Sequence, residues 1–224
     1  MTRKTKRQRL GLALAIVLAA AAVAAAVPAG QHTPLFRPGD LAELEGPDRD
    51  EWQSPDRIMD ALGVGEGVVV ADLGAGSGWF TIRLAERVGP NGLVYAEDIQ
   101  SQMIDSIDRR VKRLGLKNVR TVLGRPNDPR LPPAAVDAVL IVDSYHEMEQ
   151  PVALLTNVAR SLKPDGRVGI VNFTKDGGGP GPAVEYRVDP ERVIADALAA
   201  GLALRSRETF LKYHYMLVFE KPRS

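Results

Sequence analysis

The chain has no cysteine in its 224 residues. That absence removes disulfides, a thiol nucleophile, cysteine-ligated metal and thiol-linked lipid from consideration. It also lacks any acidic residue before Asp40, while Arg3, Lys4, Lys6, Arg7 and Arg9 crowd the start. The formal net charge of +1 hides that asymmetry. Without those five basic residues the remainder is mildly acidic, which argues against nucleic acid as a partner. No internal repeat is visible. No glycine-rich loop ends in Gly-Lys-Ser or Gly-Lys-Thr, so a phosphate-cradling loop of that kind is excluded.

What is present is a globular composition, 45% apolar and 25% charged. The length suits one domain with an extension. Residues 1–9 are basic and polar, residues 10–27 are an apolar run rich in alanine and leucine, and Pro28-Ala29-Gly30 closes it. This order makes residues 1–30 a secretory signal peptide or an N-terminal membrane anchor, engaging the membrane or the secretion machinery. Cleavage after Ala26 or Ala29 has a small residue three positions back. The positive-inside rule places the domain on the extracytoplasmic side, exported or anchored at the cell envelope; an anchor holding it on the cytoplasmic face is the alternative. Residues 31–51, rich in proline, glycine and charge, read as an exposed linker. Residues 52–224 form the folded domain.

Within that domain the most informative stretch is residues 68–80. An apolar run ends at Asp72, and Gly74, Gly76 and Gly78 follow at alternate positions. The run reads as a buried parallel strand. The glycines read as a tight turn against a ligand, and Phe80, Leu84, Ala85 and Val88 as one face of a helix. The free N–H groups and positive dipole end of that helix suit a nucleotide. A dinucleotide fingerprint wants its third glycine where Trp79 stands. Asp72 beside the turn would attract a cationic amino group and repel a pyrophosphate.

Further strand–helix alternation follows. Strands are expected at residues 93–96, 119–123, 136–142 and 168–173, with helices at about 103–114 and 152–162. Asp98 lies about 20 residues past Gly78, at the end of the second strand, where ribose hydroxyls are bound in nucleotide-binding βαβ units. It also suits a helix N-cap. The fourth strand delivers Asp143, Tyr145, His146 and Glu147 to its C-terminal end, the edge at which open α/β sheets bind ligands. Residues 175–182, rich in glycine and proline, are a candidate lid. A helix to about Ala200 and an antiparallel hairpin, residues 202–208 and 213–220, complete the chain.

The segments Asp72-Leu73-Gly74-Ala75-Gly76-Ser77-Gly78, Val94-Tyr95-Ala96-Glu97-Asp98-Ile99, Asp143-Ser144-Tyr145-His146-Glu147 and Leu162-Lys163-Pro164-Asp165-Gly166 resemble class I S-adenosylmethionine-dependent methyltransferases. The likeness is to the small-molecule branch, with a ubiquinone/menaquinone methyltransferase-like core. It implies an α/β, Rossmann-like seven-stranded sheet in the order 3-2-1-4-5-7-6, the last strand antiparallel, with helices on both faces. It implies S-adenosyl-L-methionine as cofactor and transfer of a methyl group to an O, N or C nucleophile of a small molecule.

Carried over by motif, Asp72, Gly74, Ala75, Gly76 and Gly78 hold the methionine end. Asp98 binds the ribose and Ile99 packs on the adenine. The family's acid after the third strand is replaced by Arg125, leaving Asn127 or Asp128 to meet the adenine amino group. Asp143 lies near the methyl donor. His146 is the first choice of general base, since its ordinary pKa suits the task; the alternative is a histidine that only bonds the backbone. Tyr145 either lines the substrate cavity or packs. Glu185, Tyr186 and Arg187 are candidates for the mouth of the site.

Asp143, His146, Glu147 and Glu149 match no standard ligand spacing, so no metal is expected. Alternation sends Tyr213, His214 and Tyr215 to opposite strand faces, as packing residues. The competing functions are a non-catalytic nucleotide-binding protein of the envelope and an NAD(P)-dependent oxidoreductase. Glycine spacing and the C-terminal hairpin argue against the latter.

Overall fold

Val69–Leu73 (β1) and Val136–Val142 (β4) are unbroken apolar runs, and they lie side by side at the middle of the sheet. The computed structural model describes residues 34–176 and 178–222, without the side chains of residues 42–44. The expected signal peptide or anchor, residues 1–30, lies outside the described residues. Among the described residues no helix is long and apolar enough to cross a membrane.

Around the central pair, Leu93–Asp98 (β2) and Val119–Leu123 (β3) extend the sheet in parallel on one side. Leu162–Phe173 (β5) does so on the other. His214–Glu220 (β7) then inserts antiparallel between β5 and Ala203–Glu208 (β6). The order is β3-β2-β1-β4-β5-β7-β6, as the resemblance implied. Each parallel step needs a crossover, supplied by the helices Trp79–Val88 (α3), Ser101–Leu114 (α4) and Pro151–Ser161 (α5). Residues 163–166 are a loop-out inside β5: Val136 pairs with Leu162, and pairing resumes at Ala138 and Arg167.

Alternating strand residues feed two cores. On one face Ala71, Val139, Ile141 and Leu217 pack with Leu155 and Val158 of α5 and with Val193 of helix Pro190–Ala199 (α6). On the other, Val70, Leu140, Val171 and Val218 pack with Leu84 and Val88 of α3 and with Ile58 and Leu62 of helix Pro55–Leu62 (α2).

One expectation is corrected here. Part of the presumed linker is structured. Pro38–Glu45 forms a 3-10 helix and Arg49–Gln53 (α1) a short α-helix, with Arg49 and Gln53 buried. A five-residue helix is too short to show a hydrophobic period, so the polar composition of this stretch concealed it.

Candidate active site

β2 and β3 leave β1 on one side, β4 and β5 on the other, and the crevice at that divergence is where such sheets bind ligands. A half-open cavity occupies it.

Its floor is the loop after β1. Gly74 has φ 67°, and a Cβ there would meet the Ser144 side chain at 2.6 Å, so neither backbone nor space admits a side chain. The loop is tied to the end of β2. The Ala75 amide donates to the Glu97 carbonyl (2.9 Å), the Gly76 amide to Asp98 Oδ2 (3.0 Å) and the Gln100 amide to Asp98 Oδ1 (2.9 Å). Asp98 thus sets the loop's position as well as facing the cavity. Asp72 is held by the Thr81 hydroxyl of α3, which donates to Oδ2 at 2.6 Å. Sequence reading missed Thr81, although its place two residues into the helix brings it over the strand end.

The cavity is crowded with carboxyl groups: Asp72, Glu97, Asp98, Asp143, Glu147 and Glu149 all line it. Burial raises Asp72 to about 6 despite Thr81, and raises Asp98. Burial and the Asp98 charge push Glu97 up to about 8; burial pushes Glu147 up to about 7. Glu97 Oε1 and Ser77 Oγ are buried without a hydrogen-bond partner. Facing these acids is Arg49 of α1, 4.3 Å from the Trp79 ring centroid, with Arg83 stacked closer on the same ring at 3.5 Å. Burial lowers the Arg49 pKa while Asp143 and Asp72 support its charge. Both Arg49 and Trp79 line the cavity, and the sequence assigned a role to neither.

A strap closes one side. The Phe36 amide donates to Glu147 Oε2 (3.1 Å), and Gln100 Nε2 donates to the Phe36 carbonyl (3.1 Å). Leu35 and Phe36 therefore join the cavity wall from within the presumed linker.

Of the expected cofactor residues, Asp72, Gly74, Ala75, Gly76, Asp98, Ile99 and Asp143 line the cavity, and the structure brings them together. Gly78 does not; it caps α3 at φ 78° with Ile107 of α4 pressed against it. Asn127 and Asp128 are also outside. Arg125 and Asp128 exchange backbone hydrogen bonds in a tight turn that spends the Asp128 carboxylate on the Arg130 amide, so Arg125 and Pro126 meet the cavity instead.

Tyr145 is turned into the core, 3% exposed, and its hydroxyl meets Asp196 Oδ2 of α6 at 3.0 Å. Burial and Asp196 raise its pKa. His146 does not line the cavity; its side chain is 8% exposed, and burial lowers its pKa. A 3-10 turn, Tyr145–Glu147, rotates successive side chains apart, so Glu147 faces the cavity and the two residues before it do not. Arg187 is likewise turned inward. It donates to the carbonyls of Thr174, Gly178 and Pro182 and so pins the glycine-rich segment expected as a lid.

A Rossmann-like sheet of this order, with an acid, glycine loop and second acid at the switch point, has the architecture that the resemblance to class I S-adenosylmethionine-dependent methyltransferases implied. Comparison with known proteins agrees. Residues 70–166 match the family described as a methyltransferase domain. Nocamycin O-methyltransferase of Saccharothrix syringae is 34% identical over 146 residues, 64% of this chain and 50% of that protein. The ubiquinone/menaquinone biosynthesis C-methyltransferase UbiE of Pasteurella multocida is 31% identical over 118 residues, 52% of this chain and 44% of that protein. The chain thus spans about half the length of the curated relatives it matches. A crystal structure of a SAM-dependent methyltransferase from Aquifex aeolicus superimposes with a TM-score of 0.79 at 29% identity, covering 83% of this chain and 98% of that one. In sequence over this region and in fold, the chain is similar to S-adenosylmethionine-dependent methyltransferases.

Proposed function

We propose that the chain transfers a methyl group from S-adenosylmethionine to an O, N or C nucleophile of a small molecule. The observation that carries this reading is the charge of the cavity: six carboxyl groups against the Arg49 and Arg125 guanidiniums. The methyl donor carries a sulfonium, an ammonium and one carboxylate, and such a site complements it. A pyrophosphate would meet repulsion there, which disfavours a nicotinamide cofactor.

Asp72 would hold the ammonium and Arg49 the carboxylate. The unpartnered Ser77 hydroxyl supplies a further hydrogen bond. Asp98 would hold the ribose hydroxyls, with Ile99 and Met103 as apolar walls for the base. The cofactor brings an already activated methyl group. The chain's own task is to orient the acceptor and exclude water, which contributes roughly 7–11 kcal/mol where the fit is good. Trp79, Phe36 and the strap serve that exclusion.

Calorimetry with S-adenosylmethionine and with NADH tests the reading. Binding of the first alone is expected; binding of NADH without the methyl donor would overturn it. Transfer of labelled methyl from the bound donor to a fraction of a small-molecule extract separates an enzyme from a non-catalytic binding protein. For residues 1–30 we propose a role as an export signal or envelope anchor, supported by their basic start and apolar run. A reporter active only outside the cytoplasm, fused after residue 30, would stay silent if that role were wrong.

A further inference from the structure

Behind the cavity wall, Asp143 meets a histidine that the sequence read as packing. His214 opens β7 and its side chain is fully buried; Nε2 lies 3.1 Å from Asp143 Oδ1, within ion-pair distance but outside hydrogen-bond geometry, and neither ring nitrogen has a hydrogen-bond partner. The contact depends on the antiparallel insertion of β7, which pairs His214 with Phe173 and brings both to the end of β4. The imidazole is fixed by aromatic rings. Trp52 stacks on it at 5.7 Å and 4°, and Phe173 lies against it at 3.9 Å between centroids. Such a buried, clamped, polar ring is costly unless its nitrogens have a task.

Asp143 is held as firmly. Its φ is 53°, in the left-handed region that a non-glycine residue seldom occupies, and its amide donates to the Val171 carbonyl at 2.9 Å. Oδ1 is fully buried on the His214 side, yet the side chain retains 18% exposure and lines the cavity. Oδ2 is thereby left for the cavity. The other charged or titratable groups acting on Asp143 are Arg49 from α1, His146 from the 3-10 turn and Tyr215 from β7.

We propose that Asp143 takes the proton of the acceptor's nucleophile and that His214 is the positioning residue that holds its carboxylate in the reacting orientation. The inference rests on the methyltransferase reading and deepens it. It assigns the acceptor to compounds with an acidic O–H or N–H, phenols and enols above all. The O–H or N–H electron pair becomes the nucleophile's lone pair as the proton passes to Oδ2. The new bond forms to the methyl carbon, the C–S pair returns to sulfur, and the proton leaves to solvent through the cavity mouth. This role replaces the one expected of His146, whose ring is outside the cavity.

The test uses the full chain and two probes: S-adenosylhomocysteine, and the analogue in which a C–NH₃⁺ replaces the sulfonium methyl. The ammonium mimics a proton-bearing nucleophile at the reacting position. Asp143→Asn should bind the ammonium analogue at least about tenfold more weakly while S-adenosylhomocysteine affinity stays within about twofold. His214→Phe, which keeps the ring packing and removes both nitrogens, should lose part of the same preference, and His214→Gln should restore some of it by donating an N–H. Thermal melts identify any variant that fails to fold, and the Gln variant then decides. Labelled-methyl transfer to catechol and hydroquinone gives a second readout: a fall in kcat of roughly 10–100-fold for His214→Phe at unchanged donor affinity. Equal analogue preference in wild type, Asp143→Asn and His214→Gln overturns the proposal while leaving the methyltransferase reading intact. A wild type that binds neither probe overturns that reading as well.

Discussion

Asp98 illustrates how one side chain can serve both ligand and scaffold. Its two oxygens accept the Gly76 and Gln100 amides at 3.0 and 2.9 Å. Asp98→Ala should therefore weaken S-adenosylmethionine binding by more than one lost ribose contact, about 1.5–3 kcal/mol, or roughly 10–100-fold by calorimetry. Asp98→Asn should fall between, because the amide oxygen can still accept one loop N–H. Gly124 is a second informative position. A Cβ there would lie 1.6 Å from Glu97 Oε1, deep in the cavity wall. Gly124→Ala should destabilise the fold by roughly 1–3 kcal/mol through overpacking. Adding Glu97→Ala should recover much of that loss, and the coupling can be read from a double-mutant cycle in urea. Additive losses would mean that the clash is not the cause.

At the scale of elements, the strap is the least expected feature. Glu147 ionises at about 7, since burial opposes its charge, and its carboxylate accepts the Phe36 amide. As pH falls through about 7, the carboxyl protonates and becomes a weaker acceptor, so exchange of the Phe36 amide should quicken on the acid side beyond the intrinsic trend. Glu147→Gln should show no such step.

The strap also shows what the sequence concealed. The seven strands were legible, because β1 and β4 are unbroken apolar runs, helical periods separate most of the parallel strands, and the last two strands sit close in sequence; their order came from the resemblance. Asp72, Gly74, Gly76 and Asp98 were legible because their spacing is set within a single βαβ unit. Phe36, Arg49 and His214 were not, since each reaches the site through a contact made only after the sheet has assembled. The choice left open for Tyr145 and His146 turned on a 3-10 turn, rather than an extended strand end, which carries both past the cavity.

For the whole molecule, the raised acids link protonation, stability and ligand. Asp72, Glu97 and Glu147 hold their protons up to about 6, about 8 and about 7 when folded. Unfolded, they lose them near pH 4. Between those limits the folded chain binds more protons than the unfolded one, so the stability of the ligand-free protein should fall as pH rises from about 4 toward 8. Thermal melts across that range check the sign. Cationic ligand favours the ionised acids, so S-adenosylmethionine should bind more tightly as pH rises through about 6 and about 7 and should release protons. Calorimetry in buffers of different ionisation enthalpy measures that release; proton uptake would contradict it. The placement of β7 bears on synthesis itself. Among the described residues it is the last strand in chain order, yet it lies inside the sheet between β5 and β6 and carries His214. A ribosome that halts before residue 214 leaves β5 as a bare hydrophobic edge and the cavity wall without its backing. Such a product is a target for chaperones and proteases, and is not a slow version of the enzyme.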